Sequence, residues 1–369
     1  MKKRILILAN NDIGLYNFRK DLILKLIDLG NDLYISLPYG DMVEPLTELG
    51  CKFLKTPIDR RGINPIIDFK LIYKYFHLLK NVNPDLVITY TIKPNIYGGF
   101  LCRMMKIPYA VNITGLGTAF EKNGLLKSIA TILYKISLKK VEIVFFENIE
   151  NMMLFRKLKI CVKNTDCKLL HGAGVDLRYF TYTEYPLEDD IVHFLFIGRI
   201  MKEKGVEELF SVMERLNFEG KKCVLDMLGG FEENYLETIE EKKKEGWLNY
   251  YGYQKDVRPF IKKSHCFVLP SWHEGMANTN LECAAMGRPL ITSDIHGCKE
   301  SIIDGKSGFL CEPKNPESLY KAMTKFLALT RQERVLMGKI GRKHMEDEFD
   351  KKNVVLETVK SLCFDKNLQ

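Results

Sequence analysis

Two glutamates, Glu274 and Glu282, stand eight positions apart in the stretch Ser271-Trp-His-Glu-Gly-Met-Ala-Asn-Thr-Asn-Leu-Glu282. The apolar run before it, 266–270, reads as a buried strand and 280–286 as a helix, so Glu274 falls in a strand-to-helix loop and Glu282 on the helix behind. A carboxylate on such a helix suits the vicinal hydroxyls of a ribose. One in the loop itself accepts from the hydroxyls of a sugar. Between them, the backbone N–H groups of Gly275, Met276, Ala277, Asn278 and Thr279 open the helix and suit phosphate oxygens. Cations for the same phosphates stand earlier, where the run Phe194-Leu-Phe-Ile197 passes into Gly198-Arg199 and then Lys204-Gly205. Arg199 can fork onto phosphate oxygens and Lys204 can add a point charge one loop away. This is the chemistry of a sugar joined through a diphosphate to a nucleoside.

Other motifs exclude other chemistries. The first loop, 9–19, has one glycine, Gly14, and no G-x-G-x-x-G, so the nicotinamide dinucleotide fingerprint is absent. Gly14 either lets backbone approach a phosphate or sugar closely or simply makes a turn before a helix. The histidines show no metal-ligand spacing, and His273-Glu274 lacks the second histidine of a zinc protease motif. Glu188-Asp189-Asp190 has no supporting cations and reads as a solvated turn. Neither a metal nor any other cofactor is expected. The lysine-rich segments lack interleaved aromatics on a nucleic-acid fold, so nucleic acid is not expected as a partner.

The elements that must position these residues alternate strictly. Runs at 5–9, 32–37, 86–90, 109–113 and 143–147 read as strands of a first half, and 194–198, 224–228, 266–270 and 289–293 as strands of a second. Helical patterns such as 18–29, 68–79 and 205–216 lie between them. That order predicts an α/β protein with parallel sheets covered on both faces, in two doubly wound, Rossmann-like domains facing a cleft, with ligands at the carboxyl ends of the strands. A chain of 369 residues fits about two domains. We place the first at 1–180, a linker at the acidic stretch 181–190, the second at 191–348, and a terminal helical segment at 349–369 that packs back on the first. The ten cysteines have no C-x-x-C pair and several lie in apolar runs, which suits reduced core thiols and a cytosolic setting. The apolar run after Met1-Lys-Lys-Arg is short and reads as a buried strand. No apolar run reaches the length of a membrane span.

Charge is uneven. Residues 1–180 carry a net +11 and residues 181–369 a net −3. The excess reads either as a solvated surface or as a face for an anionic partner. Within it, the segment 124–140 sets Leu125, Leu126, Ile129, Ile132, Leu133 and Ile136 in a helical stripe among Lys127, Lys135, Lys139 and Lys140. Such a helix either covers its own sheet or lies on an anionic bilayer.

The set Gly198-Arg199…Lys204-Gly205, Leu269-Pro-Ser271, His273-Glu-Gly275, Leu281-Glu282, Gly287-Arg-Pro289 and Gly297…Glu300 resembles family 4 of the retaining glycosyltransferases, which have the GT-B fold. The resemblance spans nearly the whole chain and is nearest to enzymes that extend lipid-linked oligosaccharides for capsules, O-antigens or glycoproteins. It implies metal-independent transfer of a sugar, with retention, from an NDP-sugar, most simply a UDP-linked hexose or N-acetylhexosamine. The acceptor it implies is a polyprenyl diphosphate-linked saccharide held by the N-terminal half. By position, Arg199 and Lys204 match the diphosphate pair, Glu274 the donor-sugar contact and Glu282 the ribose contact. Ala277 replaces a proline found in many members. The loop Asn112-Ile-Thr-Gly-Leu-Gly-Thr118 lacks the histidine that some members point at the donor sugar, and Asn112 and Thr114 stand as its hydrogen-bonding substitutes. The resemblance favours the bilayer reading of 124–140 and a peripheral place on the inner face of the cell membrane. Two other activities fit the same pattern less well: a nucleotide-sugar 2-epimerase, which needs no acceptor, and a non-catalytic membrane-docked scaffold, which needs none of the four charged residues.

Overall fold

The structure, a computed structural model, describes residues 2–59, 62, 64–116, 120, 124–187 and 191–362. The Glu188-Asp189-Asp190 turn and the Gly117-Thr118 end of the 112–118 loop lie outside the described residues. Two compact units are present, one of residues 1–173 with 352–369, the other of residues 174–351.

The first unit holds a seven-stranded sheet of β1 (Arg4–Leu8), β2 (Asp32–Leu37), β3 (Lys52–Lys55), β4 (Leu86–Tyr90), β5 (Tyr109–Ile113), β6 (Ile143–Phe146) and β7 (Cys167–Leu169). Its order is β3-β2-β1-β4-β5-β6-β7, with every pairing parallel. The interior strands are apolar runs buried on both faces, such as Ile5, Leu6, Ile7 and Leu8, which is what helices on both sides of a parallel sheet require. Two cores result, one on each face.

The second unit holds β8 (Val192–Ile197), β9 (Cys223–Leu228), β10 (Leu248–Tyr250), β11 (Cys266–Leu269), β12 (Leu290–Ser293) and β13 (Gly308–Cys311) in the parallel order β10-β9-β8-β11-β12-β13. Strand order reverses between β1 and β4 in the first sheet and between β8 and β11 in the second. At those points the loops leaving the two neighbouring strands splay to opposite faces and open a crevice.

The stretch 181–190, expected as a linker, is corrected at its described residues, because 181–187 pack into the second unit. Arg288, with no exposed surface, donates from its guanidinium to the carbonyls of Thr183 (3.1 Å), Glu184 (3.0 Å), Ile261 (2.9 Å) and Lys262 (2.9 Å). A cation buried so deeply survives only when its donors are engaged, and these bonds fasten the segment. The chain enters the second unit at Gly174 and leaves at Lys351, side by side: Val175 N–H donates to Phe349 O (2.8 Å) and Lys351 N–H to Val175 O (3.1 Å). Gly174 has φ +67° and a Cβ there would lie 2.6 Å from Lys351 Cα, so only glycine fits the crossing. The Lys351–Ser361 helix then sends Val354 and Val359, with Leu362 just after it, into a core of the first unit. Every described cysteine is a free thiol. No helix among the described residues is long and apolar enough to cross a membrane.

Candidate functional site

The two loops singled out for their charges leave β8 and β11, the neighbours at the strand-order reversal of the second sheet. They are held together by close backbone packing. Gly205 has φ +71°, and a Cβ there would fall 2.1 Å from Pro270 O. Trp272 N–H donates to Glu203 O (2.9 Å). Gly198 is approached in turn by Gly229, whose Cβ, if present, would lie 1.7 Å from Gly198 O. A side chain at either position would force the loops apart.

This packing brings Lys204 and Glu274 together. Lys204 Nζ donates to Glu274 Oε1, and the same oxygen accepts from Ser271 Oγ at 2.9 Å. Both members of the pair are mostly buried, at 17% and 13% exposure of their side chains. The cation expected at a diphosphate and the carboxylate expected at a sugar are thus one ion pair. Arg199 does not join it. Its guanidinium is half-exposed and Nη1 donates to Glu232 Oε2 at 3.2 Å. Glu232 as a partner of Arg199 has no signal in the sequence, because the two are 33 positions apart and meet only through the fold, whereas Ser271 lies three positions before Glu274 in the same loop.

The Asn278–Ala285 helix follows, with Ala277 at its N-cap and no side-chain cap on its first turn. Of the backbone donors expected at the phosphates, two are already engaged: Ala277 N–H donates to Gly297 O (2.7 Å) and Asn278 N–H to Met276 O (3.0 Å). Met276 and Ala277 are themselves buried. Gly297, at φ +90°, would with a Cβ crowd Gly275 O at 2.7 Å. Glu300 accepts from Gly297 N–H (2.7 Å) and contacts His296 Nδ1 (2.7 Å). The Gly297…Glu300 element therefore braces the Gly275–Ala277 backbone from behind. Asn280, fully buried, ties the helix to Thr292 Oγ1 (3.1 Å) and Ser301 Oγ (2.9 Å).

Glu282 lies one turn along this helix and is half-buried. Among the described residues its carboxylate makes no hydrogen bond or ion pair. Burial pushes the carboxyl up to about 7, with Lys351 pulling weakly the other way. A half-buried carboxylate without donors from the described residues suits a ligand that brings hydroxyl donors.

The N-terminal candidates fare differently. Gly14 lies inside the first turn of the Asp12–Asp28 helix, which begins earlier than expected because Asn11 caps it. Its N–H donates to Asn11 Oδ1 at 2.5 Å, and a Cβ would sit 2.8 Å from that atom. Gly14 serves the cap, and its N–H is not offered to a phosphate. Asn112 is buried in β5, where Nδ2 donates to Thr89 O (3.2 Å) and its carbonyl accepts from Asn95 Nδ2 (2.8 Å). Its amide is committed to the β4–β5 seam. Thr114 is half-exposed just beyond β5, at the carboxyl edge of the sheet.

The basic amphipathic helix runs from Leu125 to Ser137 and buries Ala130, Tyr134 and Ser137. Its apolar stripe faces outward: Leu125 is 78% exposed and Ile132 56%, with Leu126, Ile129 and Ile136 also exposed. Covering its own sheet is done by the other face. An open groove of about 390 Å³ lined by Lys221, Lys222, His265, Arg331 and Arg334 lies at the amino ends of β8, β9 and β11, the edge opposite the Lys204 and Glu274 loops.

Two doubly wound parallel sheets, with charged loops at the reversal point of the second, define the GT-B fold. Residues 184–344 match the family described as glycosyl transferases group 1, and residues 4–148 the family described as glycosyl transferase 4-like. The chain belongs to these glycosyltransferases. It is 28% identical, over 88% of its length and 89% of the relative's, to the N,N'-diacetylbacillosaminyl-diphospho-undecaprenol alpha-1,3-N-acetylgalactosaminyltransferase of Campylobacter jejuni. It is 26% identical, over 72% of each chain, to the UDP-Gal:alpha-D-GlcNAc-diphosphoundecaprenol alpha-1,3-galactosyltransferase of Escherichia coli. The solved sucrose-phosphate synthase from Thermosynechococcus elongatus shares the fold at a TM-score of 0.81 and 16% identity, over 98% of both chains.

Proposed function

We propose that the chain is a retaining, metal-independent glycosyltransferase that moves a hexose or N-acetylhexosamine from a UDP-linked donor to a polyprenyl diphosphate-linked saccharide. The observation that carries the donor site is the Lys204–Glu274 pair at the strand-order reversal of the second sheet, with Glu282 on the helix that follows the Glu274 loop. The acceptor class rests on the similarity to two transferases whose names specify diphospho-undecaprenol acceptors, and the UDP donor on the second of these names.

In this reading Glu282 accepts from the ribose hydroxyls, Arg199 and Lys204 take the diphosphate, and Glu274 accepts from hydroxyls of the transferred sugar. The acceptor hydroxyl attacks the anomeric carbon on the face that the diphosphate leaves. The glycosidic C–O bond forms as the bond to the β-phosphate oxygen breaks, and that oxygen takes the hydroxyl proton. Arg199 and Lys204 lower the barrier by stabilising charge that grows on the leaving diphosphate, a preorganised electrostatic effect. The exposed apolar stripe of the Leu125–Ser137 helix, flanked by Lys127, Lys135, Lys139 and Lys140, supports peripheral docking on the anionic cytoplasmic face of a membrane, where such an acceptor resides.

The test is turnover of UDP-sugars with and without N-acetylglucosaminyl-diphospho-undecaprenol in the presence of EDTA, with the product's anomeric configuration read by NMR. Acceptor-dependent transfer with retention is expected. Inversion, metal-restorable loss of activity, or conversion of the donor without acceptor each refutes the corresponding part.

A further inference from the structure

The strand-order reversal of the first sheet, between β1 and β4, has its own chemistry. Thr91 follows the last residue of β4 at φ +73°. That region is strained for a β-branched residue, since Cβ and its two substituents crowd the backbone. Its Oγ1 is buried with no hydrogen-bond partner among the described residues, so the turn carries a second unfavourable feature. The chain then passes through Lys93 into a π-helical turn at Pro94–Gly98, a geometry that accumulates at functional positions.

Lys93 Nζ donates to Asp68 Oδ1 at 2.6 Å, and both side chains are only 14% exposed. Tyr97 Oη donates to the other oxygen of Asp68 at 2.8 Å. Each oxygen of Asp68 thus accepts one hydrogen bond, whereas the ammonium has three donors and one partner among the described residues. The cluster combines unspent donors with no net charge. Neutral sugar hydroxyls and ring oxygens suit such an ammonium, held in place by a carboxylate and with donors to spare. The turn is also at the carboxyl edge of the sheet, where ligands of doubly wound folds bind.

We infer that Lys93, set by the Thr91 turn and oriented by Asp68 and Tyr97, contacts the saccharide of the acceptor and donates hydrogen bonds to its hydroxyl or ring oxygens. This rests on the proposed function, and the test separates the two. Binding of N-acetylglucosaminyl-diphospho-undecaprenol in detergent micelles to the full chain is measured beside binding of UDP. Lys93→Met is expected to weaken the lipid-linked probe about tenfold or more, the scale of a lost charge-assisted hydrogen bond, and to leave UDP affinity within about twofold on the same scale. Should Lys93→Met fail to fold because Asp68 is left unpaired, the double variant Asp68→Asn/Lys93→Met removes both charges and is expected to show the same loss. An unchanged probe affinity in either folded variant overturns the subsite while sparing the proposed function. Wild-type protein that binds UDP but not the probe overturns the acceptor class, and the subsite with it.

Discussion

Replacing Glu282 with glutamine separates the cost of this residue from its use. Burial raises the carboxyl from its ordinary 4.5 to about 7. The folded state then holds a proton more tightly than the unfolded chain does, so the effect favours folding least at high pH. Stability attributable to this proton is complete below about pH 4.5 and is lost progressively up to about pH 7. At about 1.4 kcal/mol per pH unit the loss reaches ~3 kcal/mol as an upper bound. An amide is neutral throughout and escapes it. Glu282→Gln is therefore expected to raise the melting temperature of the second unit at pH 8, by about 2–4 °C for each kcal/mol recovered. The advantage should shrink below ~1 kcal/mol at pH 5. Scanning calorimetry of the full chain reads this directly, because the second unit's transition is the one UDP should move. With UDP the order reverses: ionised Glu282 accepts from two hydroxyls, the amide from fewer, and the UDP-dependent shift should diminish. Wild-type UDP affinity should also fall as pH drops below 7, since binding selects the ionised form. A glutamine variant no more stable than wild type at pH 8 would refute the desolvation argument, and one that binds UDP as tightly would refute the ribose contact.

The remaining expectations are narrower. Arg199→Ala breaks only a half-exposed ion pair, so its stability should stay within about 1 kcal/mol of wild type while kcat falls roughly a hundredfold; an unchanged kcat removes Arg199 from the mechanism. Gly229→Ala would press a Cβ to 1.7 Å from Gly198 O at a φ of +144°, so it should lower stability and donor affinity together; a variant with wild-type UDP binding would show that the loop tolerates displacement. Thr91→Gly suits the left-handed turn and removes a stranded hydroxyl, and should raise stability by about 1 kcal/mol, read in the denaturation midpoint of the first unit. Changing Ile129 and Ile132 to serine should reduce flotation with anionic vesicles at low salt and leave UDP affinity unchanged; equal flotation would mean that the exposed stripe does not meet the bilayer.

The interior strands are legible in the amino-acid sequence because they are apolar runs buried on both faces, and β1, β2, β4, β5, β6, β8, β9, β11 and β12 fall within a residue or two of those runs. The strands that the pattern misses, β3, β7, β10 and β13, are the outer strands of the two sheets. Each is three or four residues long, and an edge position imposes no demand for apolar residues on both faces, so no periodicity announces them. The same division runs through the site. Gly198, Arg199, Lys204, Glu274 and Glu282 can be named from residue type and from their places after strands or on a helix, because strand-to-helix loops are where a doubly wound fold puts its chemistry. Their pairing cannot. Lys204 meeting Glu274 depends on Gly205 lying against Pro270 O, a contact between loops 65 positions apart in the chain. Gly14 and Asn112 are legible as flexible or polar residues near strand ends, yet local bonds claim them: an N-cap takes the N–H of Gly14 and the β4–β5 seam takes the amide of Asn112. The amphipathic stripe of 125–136 is likewise plain in the sequence, but periodicity says only that a helix has two faces. Which face meets the sheet is decided by Ala130, Tyr134 and Ser137 packing inward, and that leaves Leu125, Ile129 and Ile132 to the outside.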